Sequence, residues 1–294
     1  MLPLVPQDLI YHFGTKTYEV HELTESSFDE GFDFAIFSAG SNVALHYVPL
    51  ACEHGCTVID NSNAFRMDSD VPLVVPEVNA EDIYKHRGII ANPNCSTIQA
   101  VVALKPLDNI YKIKRIVYST YQAVSGAGYQ GTQDYLNTSK GLPPKKFPHP
   151  IYQNCIPQID VFMNNGYSKE EMKMINETKK ILKNPNIKIT ATCVRVPVLN
   201  SHSESINVEF EKDFNIYELK SLLESSPGLK VEDDLSQNIY PLAENVTGHD
   251  EVYIGRIRRD DSVPFGINMW VVADNIRKGA ATNAIQILEK LIFS

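Results

Sequence analysis

Short apolar segments that alternate with helical patterns occupy the first third of the chain, and this alternation constrains the fold more than any other feature. Four such segments are predicted as strands: "FDFAIFSAG" (32–40), "CTVID" (56–60), "VPLVVPEV" (71–78) and "RGIIAN" (87–92). Helical patterns follow at 42–55 and 96–107. Because parallel strands need covering crossovers, the alternation predicts an α/β fold with a mostly parallel sheet. Ligands of such sheets bind at the carboxyl ends of the strands.

The pattern changes from about residue 110, where longer strands predict a second, antiparallel or mixed sheet. These strands are "IKRIVYSTYQAVSGAG", "IKITATCVRVPVL", "ESINVEFE", "DEVYIGRIRRD" and "PFGINMWVVAD". Helices are predicted at 129–139, 168–183 and 216–224, and an amphipathic helix closes the chain at 275–293. The proline-rich segment 140–159 is predicted to run over the surface or along a subunit interface.

Composition narrows the functional classes. Hydrophobic and charged fractions of 43% and 21% are typical of a folded, soluble protein. A net charge of −9 argues against nucleic-acid binding, and no segment has the length of a membrane span or the pattern of a signal peptide. The odd, scattered set of five cysteines indicates a reducing cytoplasm. Cys52 and Cys56 have a spacing that could bind a metal, but no second pair follows, so no metal site is predicted.

The segment "NPNCSTIQA" (92–100) places one cysteine at the start of a predicted helix. A cysteine in that position feels the helix dipole and nearby backbone N–H groups, which favour the thiolate. Free cysteines are also often small buried residues beside a turn. These nine residues alone leave both interpretations of Cys95 open.

Seven motifs along the chain carry a resemblance to a known family. They are "SAGSNV", "DNSNAFRMD", "VPLVVPEVN", "NPNCSTIQ", "YQAVSGAG", "TCVRVPVLNSHSE" and "NMWVVADNIRKGAA", from about Lys16 to the C-terminus. The residues of these motifs and the order of the motifs along the chain resemble those of aspartate-semialdehyde dehydrogenases. The resemblance implies NADPH-dependent reduction of L-aspartyl 4-phosphate to the semialdehyde and phosphate, in the biosynthesis of lysine, threonine, methionine and isoleucine. It also implies a Rossmann-like nucleotide-binding domain at 1–94, a catalytic and dimerisation domain at 95–273, and a final helix at 274–294 that returns to the first domain.

The resemblance assigns three catalytic residues. Cys95 matches the family nucleophile, and a thiolate is well suited to form a thioester from an acyl phosphate. His202 matches the acid/base residue, and an imidazole that titrates near neutrality suits proton exchange. Gln122, which follows a predicted strand, would orient the bound intermediate. Alone, His202 in "NSHSE" is more typical of a loop or strand end.

Five further residues are implied to bind the substrate. Arg195 lies within an apolar strand, so it should face either a site or an ion pair; the family assigns it to the substrate carboxylate. Arg66, Asn94 and Lys173 are implied to bind the phosphate, and Glu170 the substrate amino group. By pattern alone, Arg66 is a solvated loop residue, and Glu170 with Lys173 an exposed helical ion pair.

For the cofactor, the resemblance implies NADP(H) and six contact residues, which are Ser38, Ala39, Gly40, Ser125, Gly126 and Asn275. Small residues at a strand end and before a helix leave room for a nucleotide, although most glycine turns bind nothing. The family is dimeric through its larger domain, so a homodimer is expected.

The chain departs from the family at its beginning, because the glycine-rich loop after the first strand is not present in this sequence. Either the natural start lies upstream, or the chain is truncated and its cofactor binding impaired. Two alternatives therefore accompany the enzyme prediction: a noncatalytic partner in a dimer, and a reductase of another acyl phosphate, such as N-acetylglutamyl phosphate or a phosphoglycerate.

Overall fold

The computed structural model describes residues 10–293. Residues 1–9 and Ser294 lie outside the described residues. They belong to the segments predicted at 1–94 and 274–294. The described chain begins with an antiparallel hairpin of β1 (Ile10–Phe13) and β2 (Lys16–Glu19).

A small parallel sheet follows the hairpin, in the order β3-β4-β5. Its strands are β3 (Phe34–Phe37), β4 (Thr57–Asp60) and β5 (Ile89–Ala91), and helix α1 (Ser41–Glu53) connects the first two. All three strands agree with the sequence prediction. β3 is an edge strand of this sheet, and its Phe34 and Ile36 are exposed.

The prediction of a strand at 71–78 is wrong. Leu73 forms only an isolated parallel bridge with Ala91, and the chain then turns into the short helix α2 (Pro76–Asn79). Two prolines explain the difference, because Pro72 and Pro76 lack the N–H groups that a ladder requires.

Helix α3 (Cys95–Tyr111) links the two halves of the protein and is buried along most of its length. Asn94 caps it, since its Oδ1 accepts from the backbone N–H groups of Ser96 and Thr97. The break at "NPN" thus ends β5 and begins the helix within three residues, which sets Cys95 at the edge of the parallel sheet.

The second half forms a six-stranded mixed sheet in the order β7-β6-β8-β11-β10-β9. Its strands are β6 (Ile113–Gln122), β7 (Lys188–Arg195), β8 (His202–Phe210), β9 (Leu229–Val231), β10 (Val252–Asp260) and β11 (Gly266–Ala273). β6 pairs parallel with β7 and antiparallel with β8, so Gln122 lies beside Arg195 at the carboxyl ends of two neighbouring strands. This sheet confirms the predicted antiparallel or mixed arrangement.

Helices α5 (Lys169–Ile181) and α6 (Ile216–Glu224) cover one face of this sheet, with α3 packed between them. Helix α7 (Ala243–Val246) packs against Tyr253 and Val272 on the opposite face, and α4 (Gly128–Thr138) packs against the turn that follows β6. A π-helical turn (Arg277–Ala281) leads into α8 (Thr282–Ile292), whose Ala284 and Ile287 pack against the parallel sheet. Between Ile10 and Phe293, none of the helices is both long and apolar enough to span a bilayer.

Candidate active site

A cleft of about 1020 Å³ opens where the parallel sheet, the start of α3 and the ends of β6 and β7 meet. Twelve of the fourteen residues predicted for the site line it: Ser38, Gly40, Arg66, Asn94, Cys95, Gln122, Ser125, Gly126, Glu170, Lys173, Arg195 and Asn275. Ala39 and His202 do not belong to its lining. Predicted site residues as distant in sequence as Ser38 and Asn275 therefore converge on one cavity.

Cys95 is the first residue of α3, and its side chain is partly exposed to the cleft. Burial, followed by the negative charge of Glu170, raises its pKa to about 12, although Arg195 and Arg66 act in the opposite direction. Burial and the charge of Glu170 thus oppose the stabilisation of the thiolate that the sequence predicts from the helix start.

Glu170 is the hub of the polar groups in the cleft. Its Oε1 accepts from Asn94 Nδ2 at 2.9 Å and from Gln122 Nε2 at 3.3 Å, while its Oε2 lies 3.1 Å from Lys173 Nζ. Burial pushes the pKa of Glu170 upwards, but the charge of Lys173 and the hydrogen bonds from Asn94 and Lys173 hold it below its ordinary value. The pair predicted from the pattern to be exposed is thus inside the site, with Glu170 itself buried.

Arg195 is buried, and its Nη1 donates to the carbonyl of Ala123 at 2.6 Å. Within residues 10–293 it forms no ion pair with a carboxylate, so of the two environments predicted for Arg195, a site or an ion pair, the structure shows the site. Burial lowers the pKa of Arg195, and the aromatic ring of Phe147 lies 5.9 Å from its guanidinium carbon. A buried guanidinium with unused donors at a cleft is suited to bind a carboxylate.

Arg66 is held on three sides by the protein. Its Nε donates to the carbonyl of Asn92 at 2.9 Å, its Nη2 to the carbonyl of Asn61 at 3.0 Å, and its Nη1 to Glu177 at 3.1 Å. A guanidinium has five N–H groups, so two remain for an anion. Arg66 is buried rather than a solvated loop residue.

His202 lies behind Gly126, inside the protein. A Cβ on Gly126 would lie 3.0 Å from Nε2 of His202 and 2.9 Å from Nη1 of Arg195, so only glycine lets this chain pass so close to both side chains. Burial, followed by the charge of Arg195, lowers the pKa of His202 well below its ordinary 6.5. Its Nε2 has no hydrogen-bond partner among the described residues.

The predicted cofactor residues surround the same cleft from the parallel-sheet side. Gly40 adopts a left-handed φ of 86° after β3, and Asn275 Nδ2 donates to Ser125 Oγ at 3.1 Å. A Cβ on Gly279 would lie 2.9 Å from Cβ of Cys95, so the wall next to the nucleophile carries no side chain. These residues fit a nicotinamide nucleotide, because the cleft combines backbone donors, small side chains and room beside the thiol.

Two contributors were missed by sequence reasoning. Glu177 contacts Arg66 from α5, in the same helical stripe as Glu170 and Lys173, and that spacing is the signal that could have found it. Asp134 of α4 accepts from the backbone N–H groups of residues 145, 146 and 147 at 2.7–2.8 Å, and so fixes the proline-rich loop along the cleft. No local pattern marks Asp134, because its partners are ordinary backbone amides.

Comparison with known proteins finds two family models that match the chain. The family model of the semialdehyde dehydrogenase NAD binding domain matches residues 8–86, and that of the semialdehyde dehydrogenase dimerisation domain matches residues 104–278. The aspartate-semialdehyde dehydrogenase of Aquifex aeolicus is 52% identical, over 95% of this chain and 85% of the relative.

Solved structures give the same result. A crystal structure of aspartate semialdehyde dehydrogenase II from Vibrio cholerae has a TM-score of 0.92 and 46% identity, over 98% of this chain and 88% of that one. The same protein complexed with ASA has a TM-score of 0.90 and 45% identity, over 98% of this chain and 87% of that one. The Candida albicans enzyme, crystallised with NADP, is more distant, with a TM-score of 0.70 and 28% identity over 88% of this chain and 77% of that one.

Proposed function

Because the chain belongs to the aspartate-semialdehyde dehydrogenase family, we propose that it reduces L-aspartyl 4-phosphate to L-aspartate 4-semialdehyde with release of phosphate, a step of amino-acid biosynthesis. One observation carries this proposal. The partly exposed thiol of Cys95 lies in a single cleft with two buried arginines, Arg66 and Arg195, that both have N–H groups to spare. A substrate with a carboxylate at one end and a phosphate at the other matches that pair of cations.

The substrate contacts follow from charge. Arg195 would bind the carboxylate through its planar fork, and Glu170 would accept from the ammonium group. Arg66 and Lys173 would bind the phosphate, with Asn94 donating to its oxygens. Glu170 and Lys173 already form an ion pair at 3.1 Å. Substrate binding would replace part of this pair with a contact from Glu170 to the ammonium group and one from Lys173 to the phosphate.

Cys95 is proposed to attack the acyl carbon of the substrate. The new bond joins Sγ to the carbonyl carbon, and the bond from that carbon to the phosphate oxygen breaks. Since the raised pKa of Cys95 describes a resting thiol, its proton would leave on the departing group as hydrogen phosphate. The product on the enzyme is a thioester, which Gln122 would orient. The family resemblance assigns the acid/base role to His202, whose Nε2 has no partner among the described residues and lies behind Gly126, outside the lining of the cleft.

We assign the cofactor as NADPH, held by Ser38, Ala39, Gly40, Ser125, Gly126 and Asn275. When bound, it supplies the hydride that converts the thioester carbon to the oxidation level of an aldehyde. Support for a nicotinamide nucleotide comes from the matched NAD binding domain, and support for its phosphorylated form from the distant relative crystallised with NADP.

A homodimer and a cytoplasmic location complete the proposal. The matched dimerisation domain supports a dimer, as does the outer face of the mixed sheet, where Tyr121, Leu242 and half-buried Trp270 lie on or beside a groove of about 350 Å³. Light scattering should give twice the 33.0 kDa chain mass, and a stable monomer at micromolar concentration would contradict it. The five unpaired cysteines support a reducing compartment.

The function is tested by steady-state kinetics in the reverse direction. Phosphate-dependent reduction of NADP⁺ should be fastest with L-aspartate 4-semialdehyde, and much slower with N-acetylglutamate semialdehyde or glyceraldehyde 3-phosphate. A preference for either of the other two aldehydes would assign the cleft to another acyl phosphate. The Cys95→Ser variant serves as the blank, because serine is a far weaker nucleophile near neutral pH.

A further inference from the structure

We propose that Glu177 is a positioning residue, which fixes the phosphate-binding arginine and the residue before the nucleophile in one shared geometry. The inference rests on the proposed function, because it takes Arg66 as the phosphate ligand. Glu177 does not line the main cleft itself and is only 1% exposed. It acts through its neighbours.

The two oxygens of Glu177 bind two different parts of the site. Oε1 accepts from Nη1 of Arg66 at 3.1 Å, and Oε2 accepts from the backbone N–H of Asn94 at 2.7 Å. Arg66 contributes to the proposed phosphate site, and Asn94 caps the helix that begins with Cys95. One carboxylate therefore sets the distance between the guanidinium of Arg66 and helix α3, which begins with Cys95.

A second side chain on the same helix holds the segment that carries Arg66. Nζ of Lys180 donates to the carbonyl groups of Arg66, Asp68 and Val71 at 2.7–2.8 Å. Lys180 lies three residues after Glu177 in α5, so both side chains project from one face of this helix. Main chain and guanidinium of Arg66 are thus anchored to one rigid helix.

The charge of Glu177 is opposite to what anion binding alone would favour. A carboxylate beside Arg66 reduces the attraction of this site for phosphate, so its presence needs a compensating gain. That gain is orientation: an unpaired buried guanidinium is costly, and a guanidinium held at three donors directs its two remaining N–H groups. Preorganised donors bind a developing anion better than mobile ones.

The test replaces Glu177 with Gln and measures how well phosphate protects Cys95 from iodoacetamide. Glutamine replaces one of the two acceptor oxygens with an NH2 group, which donates and so cannot accept from Arg66 or Asn94. The half-protecting phosphate concentration should rise about tenfold or more in E177Q, the scale of one lost charge-assisted hydrogen bond. Alkylation is followed at Cys95 by peptide mass spectrometry.

Glu171→Gln is the matched control. Glu171 is also buried on α5 and also accepts through both of its oxygens, in its case from the backbone N–H groups of Ser168 at 2.6 Å and Cys193 at 3.1 Å, but neither partner belongs to the cleft. E171Q should lower the melting temperature about as much as E177Q and change the half-protecting concentration by no more than about twofold.

Each outcome decides between explanations. Equal phosphate protection in E177Q and the wild type overturns the positioning role, and tighter protection in E177Q shows that Glu177 acts only as a counter-charge. If phosphate does not protect the wild type at all, the proposed phosphate site itself fails, and the inference with it. If E177Q does not fold, Glu177→Asp replaces it: Asp keeps the charge but is too short to reach both donors, so its half-protecting concentration should also rise.

Discussion

The backbone N–H of Ala123 donates to Nδ1 of His202 across 3.0 Å. An N–H group cannot accept a hydrogen bond, so Nδ1 carries no proton, and the neutral ring must carry its proton on Nε2. Burial and the nearby charge of Arg195 hold the pKa of His202 well below 6.5, which keeps the ring neutral at physiological pH. In its resting form His202 is therefore a hydrogen-bond donor at Nε2.

The first prediction is the tautomer itself. In protein labelled with ¹⁵N-histidine, His202 should show a protonated Nε2 and a bare Nδ1 from pH 6 to 8, because the Ala123 contact excludes the other forms. Loss of the signal in His202→Asn assigns it among the eight histidines. An imidazolium, or a proton on Nδ1, at pH 7 would refute the assignment.

The second prediction concerns stability at low pH. A histidine whose folded pKa lies below its unfolded value binds fewer protons when folded, so its stabilising contribution is complete above 6.5 and declines as the pH falls below that value. The stability should therefore fall progressively as the pH is lowered from 7 through 6.5 and below.

This loss should be seen in denaturant titrations as the difference in free energy of unfolding between the wild type and His202→Asn. Asparagine can still accept from Ala123 but does not titrate. Burial also raises the pKa of Glu204, which acts in the opposite direction with pH, but Glu204 is present in both proteins and cancels in the difference. A pH-independent difference would contradict the prediction.

The third prediction concerns the reactivity of Cys95. Glu170 is the strongest charge that raises the pKa of this thiol, so Glu170→Gln should lower the pKa and accelerate alkylation of Cys95 at pH 8. The thiolate fraction should rise about tenfold for each unit by which the pKa falls, and the rate by less than that, because a thiolate of lower pKa is a weaker nucleophile. Glu171→Gln, from the next position on α5, should leave the rate unchanged. An equal or slower rate in Glu170→Gln would show that burial alone controls this thiol.

The fourth prediction distinguishes charge from geometry at Arg195. Arg195→Lys keeps the charge but loses the planar fork and the hydrogen bond to Ala123. The KM for aspartate semialdehyde should rise about ten- to a hundredfold, which corresponds to about 1.5–3 kcal/mol for a charge-assisted contact. Arg115→Lys, on the neighbouring strand β6 and away from the cleft, is the control. Unchanged saturation in Arg195→Lys would make Arg195 a structural residue.

The sequence predicted what depends on local pattern. The β-branched runs at β3, β4 and β5 became strands, and the break at "NPN" became the cap of α3. The run at 71–78 did not, because two prolines remove ladder donors from an otherwise strand-like segment. The resemblance to a family, rather than any pattern, is what brought residues as distant as Arg66 and Arg195 into one predicted site.

Long-range electrostatics and packing could not be predicted in this way. The helix start at Cys95 suggests a thiolate, but burial and Glu170, which lies 75 residues later (170 − 95), reverse the direction of the pKa. Glu177 was missed because its partners Arg66 and Asn94 lie 111 and 83 residues away. The lesson of both residues is that a local motif identifies the reactive atom, while its protonation and orientation depend on the assembled fold.

A thioester on Cys95 can be detected by mixing the protein with L-aspartyl 4-phosphate in the absence of NADPH and quenching in acid. We expect release of about one phosphate per chain and one aspartyl group attached to the peptide that contains Cys95, with neither in Cys95→Ser. Acylation at any other residue, or normal turnover with NADPH in Cys95→Ser, would contradict it.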